Sequence, residues 1–285
     1  MATMRAIKRR KESIQSTEQI TKAMKLVSTV KLQKARAKAE STKPYFEAMY
    51  TTVAAMLAKS GNIMNPYLQP GASQKKAIIV ITSNRGLAGG YNANVCRLVM
   101  ESGIPKEDAL LYTIGQKGRE ILSHKGYTLA SDYSEVINAP LYSDAAAIGK
   151  EILQAFADDQ IGEIYLAYTS FKNTVTHEPK LLKLLPVEID TEKFSREEQL
   201  TPMNYEPEED EAIGRIIPKY LCSLIYGALL EAAASENGAR MQAMDSATSN
   251  AEKMIDDLTL MYNRARQSSI TQELTEIIGG AEALS

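Results

Sequence analysis

Apolar residues recur at every third or fourth position over two long stretches at the ends of this 285-residue chain, and in short runs only between them. In the C-terminal stretch Met244, Ala247, Ala251, Met254, Leu258, Met261 and Ala265 form an a/d series, the pattern of one helix paired with another in a left-handed coiled coil. The series breaks at Arg266-Gln267-Ser268-Ser269 and restarts in another phase as Ile270, Leu274, Ile277, Ala281 and Leu284. At the N-terminus a thinner stripe runs through Ile7, Ile14, Thr21, Met24 and Val27. Past Pro44 it resumes as Tyr45, Met49, Val53 and Met56. These patterns predict helices over about 3–57 and 210–284, with Pro44 a kink or short break and Pro218 within the first turns of the second.

Between the helices the period changes. Strands are predicted at Ala77–Thr82, Ala109–Ile114, Ile164–Ser170 and Thr176–Val187, the last two a hairpin turning near Lys172-Asn173. Helices are predicted at 91–102, Gln116–His124 and Ser143–Ala157, the last with Ser143 as N-cap and Asp144 in its first turn. The fold class is therefore α/β with long helices: an antiparallel coiled coil of the two terminal helices plus a central Rossmann-like α/β domain. The partition is an N-terminal shaft helix over 1–60, the α/β domain over 75–190, an acidic linker over 190–210 and a C-terminal shaft helix over 211–285. At ~1.5 Å per residue the two helices are roughly 80 and 110 Å long, so the second outruns the first by about nineteen residues. Nineteen residues back from Ser285 is Arg266, where the apolar series breaks. The expectation is that the partner helix ends there and the last turns meet a different surface.

Charge changes this picture more than composition does. The net charge is −2, yet residues 1–43 hold twelve Lys or Arg against three Glu. A helix so basic calls for a polyanion or an acidic protein collar. Nucleic acid is one such polyanion, although no known DNA-reading module is visible. Two cysteines without CxxC spacing, and two histidines, His124 and His177, offer no metal framework and no triad. The cysteines read as small buried apolar residues in a reducing compartment. The turn Ser83-Asn84-Arg85-Gly86-Leu87-Ala88-Gly89-Gly90 follows a strand, but it lacks both the GxGxxG spacing and a GK[ST] ending. It reads as a tight crossover, not a nucleotide site. Ala239, Ala243, Ala247 and Ala251 would let two helix axes approach closely, or simply reflect alanine's helix propensity. No run of eighteen apolar residues is present, and the basic N-terminus lacks the apolar core of a secretory signal, so the chain reads as mature.

Four motifs carry a resemblance over the whole chain: Ile20-Thr21-Lys22-Ala23-Met24-Lys25-Leu26-Val27-Ser28, Thr82-Ser83-Asn84-Arg85-Gly86-Leu87-Ala88-Gly89, Ala239-Arg240-Met241-Gln242-Ala243-Met244 and Ile270-Thr271-Gln272-Glu273-Leu274-Thr275-Glu276-Ile277-Ile278-Gly279-Gly280-Ala281. In their order the chain resembles the gamma subunit of F-type ATP synthases, of a bacterial type. Asn84 stands where many members carry aspartate, and the cysteine-bearing insert of chloroplast members is missing. The resemblance implies a central-stalk rotor subunit of a proton-translocating enzyme. Its partners would be the alpha and beta subunits, the epsilon subunit and the c-subunit ring, with no nucleic acid bound. It would carry no catalytic, metal or cofactor site of its own, since ATP, ADP and Mg bind the alpha and beta subunits. It would sit on the cytoplasmic face of the cell membrane as a peripheral protein. By motif position, Lys22, Met24 and Lys25 would meet acidic loops at the lower end of the beta subunits, with Lys8, Arg9 and Arg10 also among the beta contacts. Arg266, Gln267, Thr271 and Glu273 would engage a catalytic-subunit loop further up, and Tyr205 would lie in the foot near the c ring. The reading of a different class is a basic coiled-coil nucleic-acid-binding protein.

Overall fold

The computed structural model describes residues 4–59, 65–174, 176–188 and 209–282. Tyr205 and nearly all of the acidic linker lie outside these residues. The elements are α1 (Met4–Lys59), β1 (Lys76–Ile81), α2 (Tyr91–Met100), β2 (Ala109–Ile114), α3 (Gln116–His124), β3 (Thr128–Asp132), α4 (Tyr142–Ala157), β4 (Glu163–Phe171), β5 (His177–Leu185) and α5 (Glu209–Glu282). The residues fall into two compact units, one made of 1–28 with 240–285 and the other of 29–239.

Unit 29–239 is built on one five-stranded sheet in the order β3-β2-β1-β4-β5. β1 pairs parallel with both β2 and β4, β3 adds parallel to β2, and β5 closes the other edge antiparallel. β1 explains the layering. Its run Ala77-Ile78-Ile79-Val80-Ile81 is fully buried, as a central parallel strand covered on both faces must be. Ala77, Ile79 and Ile81 face a core shared with Ile148 and Ile152 of α4 and with Ile217, Leu221, Ile225 and Leu229 of α5. Ile78 and Val80 face a second core with Val95 and Val99 of α2 and Leu122 of α3. Each such side chain contributes ~1.5–3 kcal/mol by leaving water. The most apolar part of α5 is long enough to cross a bilayer, but 67% of that window is buried inside the protein.

Both cysteines are buried and free. Burial pushes the Cys96 thiol up to about 11, so it stays protonated and apolar.

Several expectations need correction. β3, with the sequence TLASD, was not predicted: an exposed edge strand lacks the apolar alternation that announces a half-buried one. α4 begins a residue earlier than expected, at Tyr142, and Leu141 is its N-cap in place of Ser143. Asp144 still serves the cap, its carboxylate accepting the Leu141 N–H at 2.9 Å. α1 is unbroken at Pro44, which lies on an exposed face where one missing backbone bond costs least.

The seams were read correctly at Ile7, Ile14, Thr21, Met49, Val53 and Met56 of α1 and at Met244, Ala251, Leu258 and Ala265 of α5, and one residue off at positions between them. In α1 the inward positions recur strictly every seven, at Ile7, Ile14, Thr21, Ser28, Ala35, Thr42, Met49 and Met56. A second row follows Met4, Lys11, Glu18, Lys25, Leu32, Ala39, Phe46 and Val53. Val27 and Tyr45, assigned to the seam by their apolarity, are 57% and 50% exposed. The true members Lys25 and Ser28 are polar and hide the register. In α5 the inward set is Met244, Thr248, Ala251, Ile255, Leu258 and Tyr262, whereas Met254 and Met261 point to solvent. A repeat of 3.5 permits either a three–four or a four–three step, and the exposed methionines favoured the wrong one.

Candidate functional site

In the unit formed by residues 1–28 and 240–285, the two helices run antiparallel. Thr21 Oγ1 and Thr248 Oγ1 share a buried hydrogen bond of 2.8 Å. Lys25 Nζ donates to Asp245 Oδ1 at 2.6 Å on the flank of the seam. The residue numbers in these pairs sum to 269 and 270, so Met4 at the start of α1 comes level with residues 265–266 of α5. Residues 267–282 continue beyond that level for about 24 Å at ~1.5 Å per residue. The length argument predicted a change of surroundings at Arg266, and that is the level at which the described residues of α1 begin.

The residues expected to meet partners fall at two levels of this coil and beyond it. Lys22, Met24 and Lys25 lie around the Thr21–Thr248 pair; Lys22 is exposed, while Met24 and Lys25 are half-buried. Fourteen residues nearer the N-terminus, roughly 21 Å along the axis, Lys8, Arg9 and Arg10 are all exposed. Only Lys8 among these three has an ion pair, a 4.0 Å contact with Glu12. The pairing register puts Arg266 and Gln267 at this same end, and both are exposed. Thr271 and Glu273 lie past the end of α1, also exposed, with Thr271 Oγ1 donating back to the Gln267 carbonyl at 3.0 Å. All ten thus present surface.

Sequence reasoning missed part of the surface. Ile20, Leu26 and Val27 on α1, and Met254, Leu260 and Met261 on α5, are between 50% and 64% exposed. Soluble chains rarely leave so many large apolar groups on one narrow rod unless something else covers them. The signal was present: Leu26 and Val27 fall off the seven-residue row that Thr21 and Ser28 keep.

The glycine-rich turn in the other unit is closed by its own atoms. An anion at the N-terminus of α3 would need the free N–H groups of its first turn. The Gln116 N–H goes to Asn84 Oδ1 at 3.0 Å, the Lys117 N–H to the Ser83 carbonyl at 3.0 Å and the Gly118 N–H to Thr82 Oγ1 at 2.8 Å. Asn84 also donates from Nδ2 to the Ser134 carbonyl at 2.7 Å, a bond an ionised aspartate could not make. In open α/β sheets, ligands bind at the carboxyl ends of the strands where the order reverses, here between β1 and β4. α5 crosses there, held by Ser235 Oγ to the Thr169 carbonyl and by Tyr91 Oη to the Ala232 carbonyl, each 3.2 Å. A cleft of about 540 Å³ lies between α1, the β4–β5 hairpin and α5. Its cations Arg36, Lys43 and Lys172 are each paired, with Glu40, Glu47 and Glu178.

A chain with two long antiparallel helices, one outrunning the other among the described residues, and with exposed charge and apolar stripes along them, belongs to the class of stalk-like subunits that act through their surfaces. A sequence model of the ATP synthase family matches residues 3–284. The ATP synthase gamma chain of Lachnoclostridium phytofermentans is 69% identical over 290 residues, covering 100% of both chains. The sodium-ion-specific gamma chain of Acetobacterium woodii is 43% identical, covering 98% of this chain and 97% of its own. Among solved structures, the central stalk and c-ring of the Tetrahymena thermophila mitochondrial ATP synthase contains a chain matched at a TM-score of 0.59 with 25% identity, covering 80% of this chain and 99% of that one. A chain of the Euglena gracilis mitochondrial enzyme shares the fold at a TM-score of 0.71, with 18% identity and coverage of 99% and 94%. The chain belongs to the ATP synthase gamma-chain family and forms the central stalk of an F-type ATP synthase. The nucleic-acid reading of the basic helix is not favoured.

Proposed function

We propose that this chain is the torque-transmitting rotor of the synthase and has no catalytic site of its own. It turns inside a ring of alternating alpha and beta subunits, and sits with the epsilon subunit on the c-subunit ring at the cytoplasmic face of the cell membrane. ATP, ADP and Mg bind in the ring and not to this chain. The observation that carries the reading is the one-sided end of the coil. Past Met4, among the described residues, α5 runs alone and leaves Ile270, Leu274, Ile277 and Ile278 between 49% and 68% exposed. A rod that is two helices thick at one level and one helix thick at the next is asymmetric about its axis. It therefore offers a different face to each chemically identical neighbour around it.

That asymmetry is what coupling requires. A catalytic subunit changes affinity only if the rotor binds its open and closed states unequally, and the linkage runs both ways. Turning the rod shifts the equilibrium in each subunit in turn; forced changes in the subunits turn the rod. Lys22, Met24 and Lys25 at one level, and Lys8, Arg9, Arg10, Arg266, Gln267, Thr271 and Glu273 at the other, are proposed as the contacts to the beta subunits. Tyr205 is proposed to lie in the foot region near the c ring. The coupling ion is handled by the ring; a proton is proposed here, and an ion-replacement assay on membranes decides it against sodium.

Co-expression with alpha and beta subunits of the same organism tests the assignment. The chain is expected to co-purify in a stoichiometric complex with ATPase activity. An active alpha–beta ring that leaves the chain behind would overturn the proposal.

A further inference from the structure

His177, the first residue of β5, is half-buried, yet both of its ring nitrogens are sealed from solvent and have no partner of hydrogen-bonding geometry among the described residues. A neutral imidazole carries one donor and one acceptor, so such a ring is an unusual thing to seal. It stands opposite Phe171 in the β4–β5 ladder, with the ring centroids 6.0 Å apart. Its other neighbour is Gly238 of α5: a Cβ placed on Gly238 would fall 2.7 Å from Cε1 and 3.1 Å from Nε2 of the histidine. The helix lacks a side chain where the ring seats. Two more buried polar atoms lack partners among the described residues, Thr169 Oγ1 on β4 and Asn237 Oδ1 next to Gly238 in sequence. The hairpin and the helix thus meet through one neutral ring in a glycine slot.

We propose that His177 is a proton-sensitive latch, holding the β4–β5 pair against α5 while its ring is neutral and releasing it when the ring takes up a proton. A charged imidazolium has two N–H donors to satisfy, and the sealed slot holds no partner of good hydrogen-bonding geometry for them among the described residues, only a backbone interaction with Thr174. It must turn toward an acceptor elsewhere or out to water, and either movement vacates Gly238. The charged groups on the surrounding elements are Lys172 and Glu178 of the hairpin, ion-paired at 2.6 Å, Glu231 and Glu236 of α5, and Arg97 in the last turn of α2. Glu231 already accepts the Phe171 N–H at 3.2 Å. Burial pushes the imidazole below its ordinary value, and a backbone interaction with Thr174 offsets only part of that. The sign follows. A depressed folded value means full latching above the unfolded value of about 6.5, and loss as the pH falls through it toward the folded value.

Hydrogen exchange on the full chain tests this, with amide rates corrected for intrinsic pH dependence. Between pH 7.5 and 5.5 the amides of residues 177–185 are expected to lose protection severalfold, up to about tenfold, relative to those of β1 and β2. His177→Phe should abolish that pH dependence. Equal loss in the two proteins, or no loss in either, overturns the proposal. Gly238→Ala supplies a second route that needs no acid. Alanine ordinarily favours a helix interior over glycine; here the added methyl should loosen β5, and His177→Ala in the same chain should restore its protection. Protection that rises in the single variant refutes the latch. If His177→Phe does not fold, the His177 Cε1 proton resonance of the unsubstituted chain decides. Titration below 6.5 in step with the hairpin amides supports the latch, and titration at the ordinary value overturns it.

Discussion

The tightest demands in this chain are made at single residues. Gly115 joins β2 to α3 with φ of +113°, and a Cβ there would stand 2.2 Å from the Thr82 carbonyl oxygen. No side chain escapes that clash by rotating, because its partner is backbone. Gly115→Ala is therefore expected to cost roughly 3 kcal/mol or more, read from the shift of the urea midpoint. A loss under about 1 kcal/mol would mean that the turn relaxes and does not plug α3. Glu163 poses a different demand, at the start of β4 between Lys76 at 2.7 Å and Lys183 at 3.4 Å. Burial alone would raise its carboxyl, but hydrogen bonds from Lys76 and Tyr165 outweigh it and the net shift is downward. A depressed folded value contributes stability above the unfolded value of about 4.3 that is lost as the pH falls through it. Glu163→Gln should flatten the acid limb of the stability curve below pH 5, measured by thermal melts. An unchanged limb would assign acid unfolding to other carboxylates. Neither residue was legible beforehand, since a glycine's φ and a lysine's partner both depend on what folds back against them.

At the scale of elements, what the sequence disclosed depended on burial. β1, β2, α2, α3 and the hairpin were readable because each buries a continuous or periodic apolar face. β3 was not, because its residues are almost all exposed and its only partner is β2. The coil was legible as a coil but not in register. Thr21, Lys25, Ser28 and Thr248 sit inward while Val27, Met254 and Met261 sit outward, so hydrophobicity pointed the wrong way at those positions. A pair of substitutions separates the two readings. Ile255→Ala, inward only in the observed register, should destabilise the isolated chain by roughly 1–2 kcal/mol, while Met254→Lys, inward only in the expected one, should leave it within about 0.5 kcal/mol, both by chemical denaturation. The opposite ranking would restore the discarded register.

For the whole molecule, the break at Arg266 was the most informative feature of the sequence, because it combined helix length with a change of phase. The structure gives it a cause: Met4 comes level with residues 265–266, and among the described residues α5 goes on past the start of α1. The proposed partner contacts could be named only through family motifs, since exposed Lys, Arg, Gln and Thr carry no signal of burial or spacing. The outward stripe of Ile20, Leu26 and Val27 went unread, Val27 because it was assigned to the seam and the other two because they fell outside it. An asymmetric rod with charged and apolar levels has one function these features support, to turn and be gripped. Its central test is to fix the alpha–beta ring of the reconstituted complex to a surface, attach an optical probe to this chain and add ATP. The probe is predicted to rotate in one direction while ATP is hydrolysed; a probe that stays still during full hydrolysis would contradict the account.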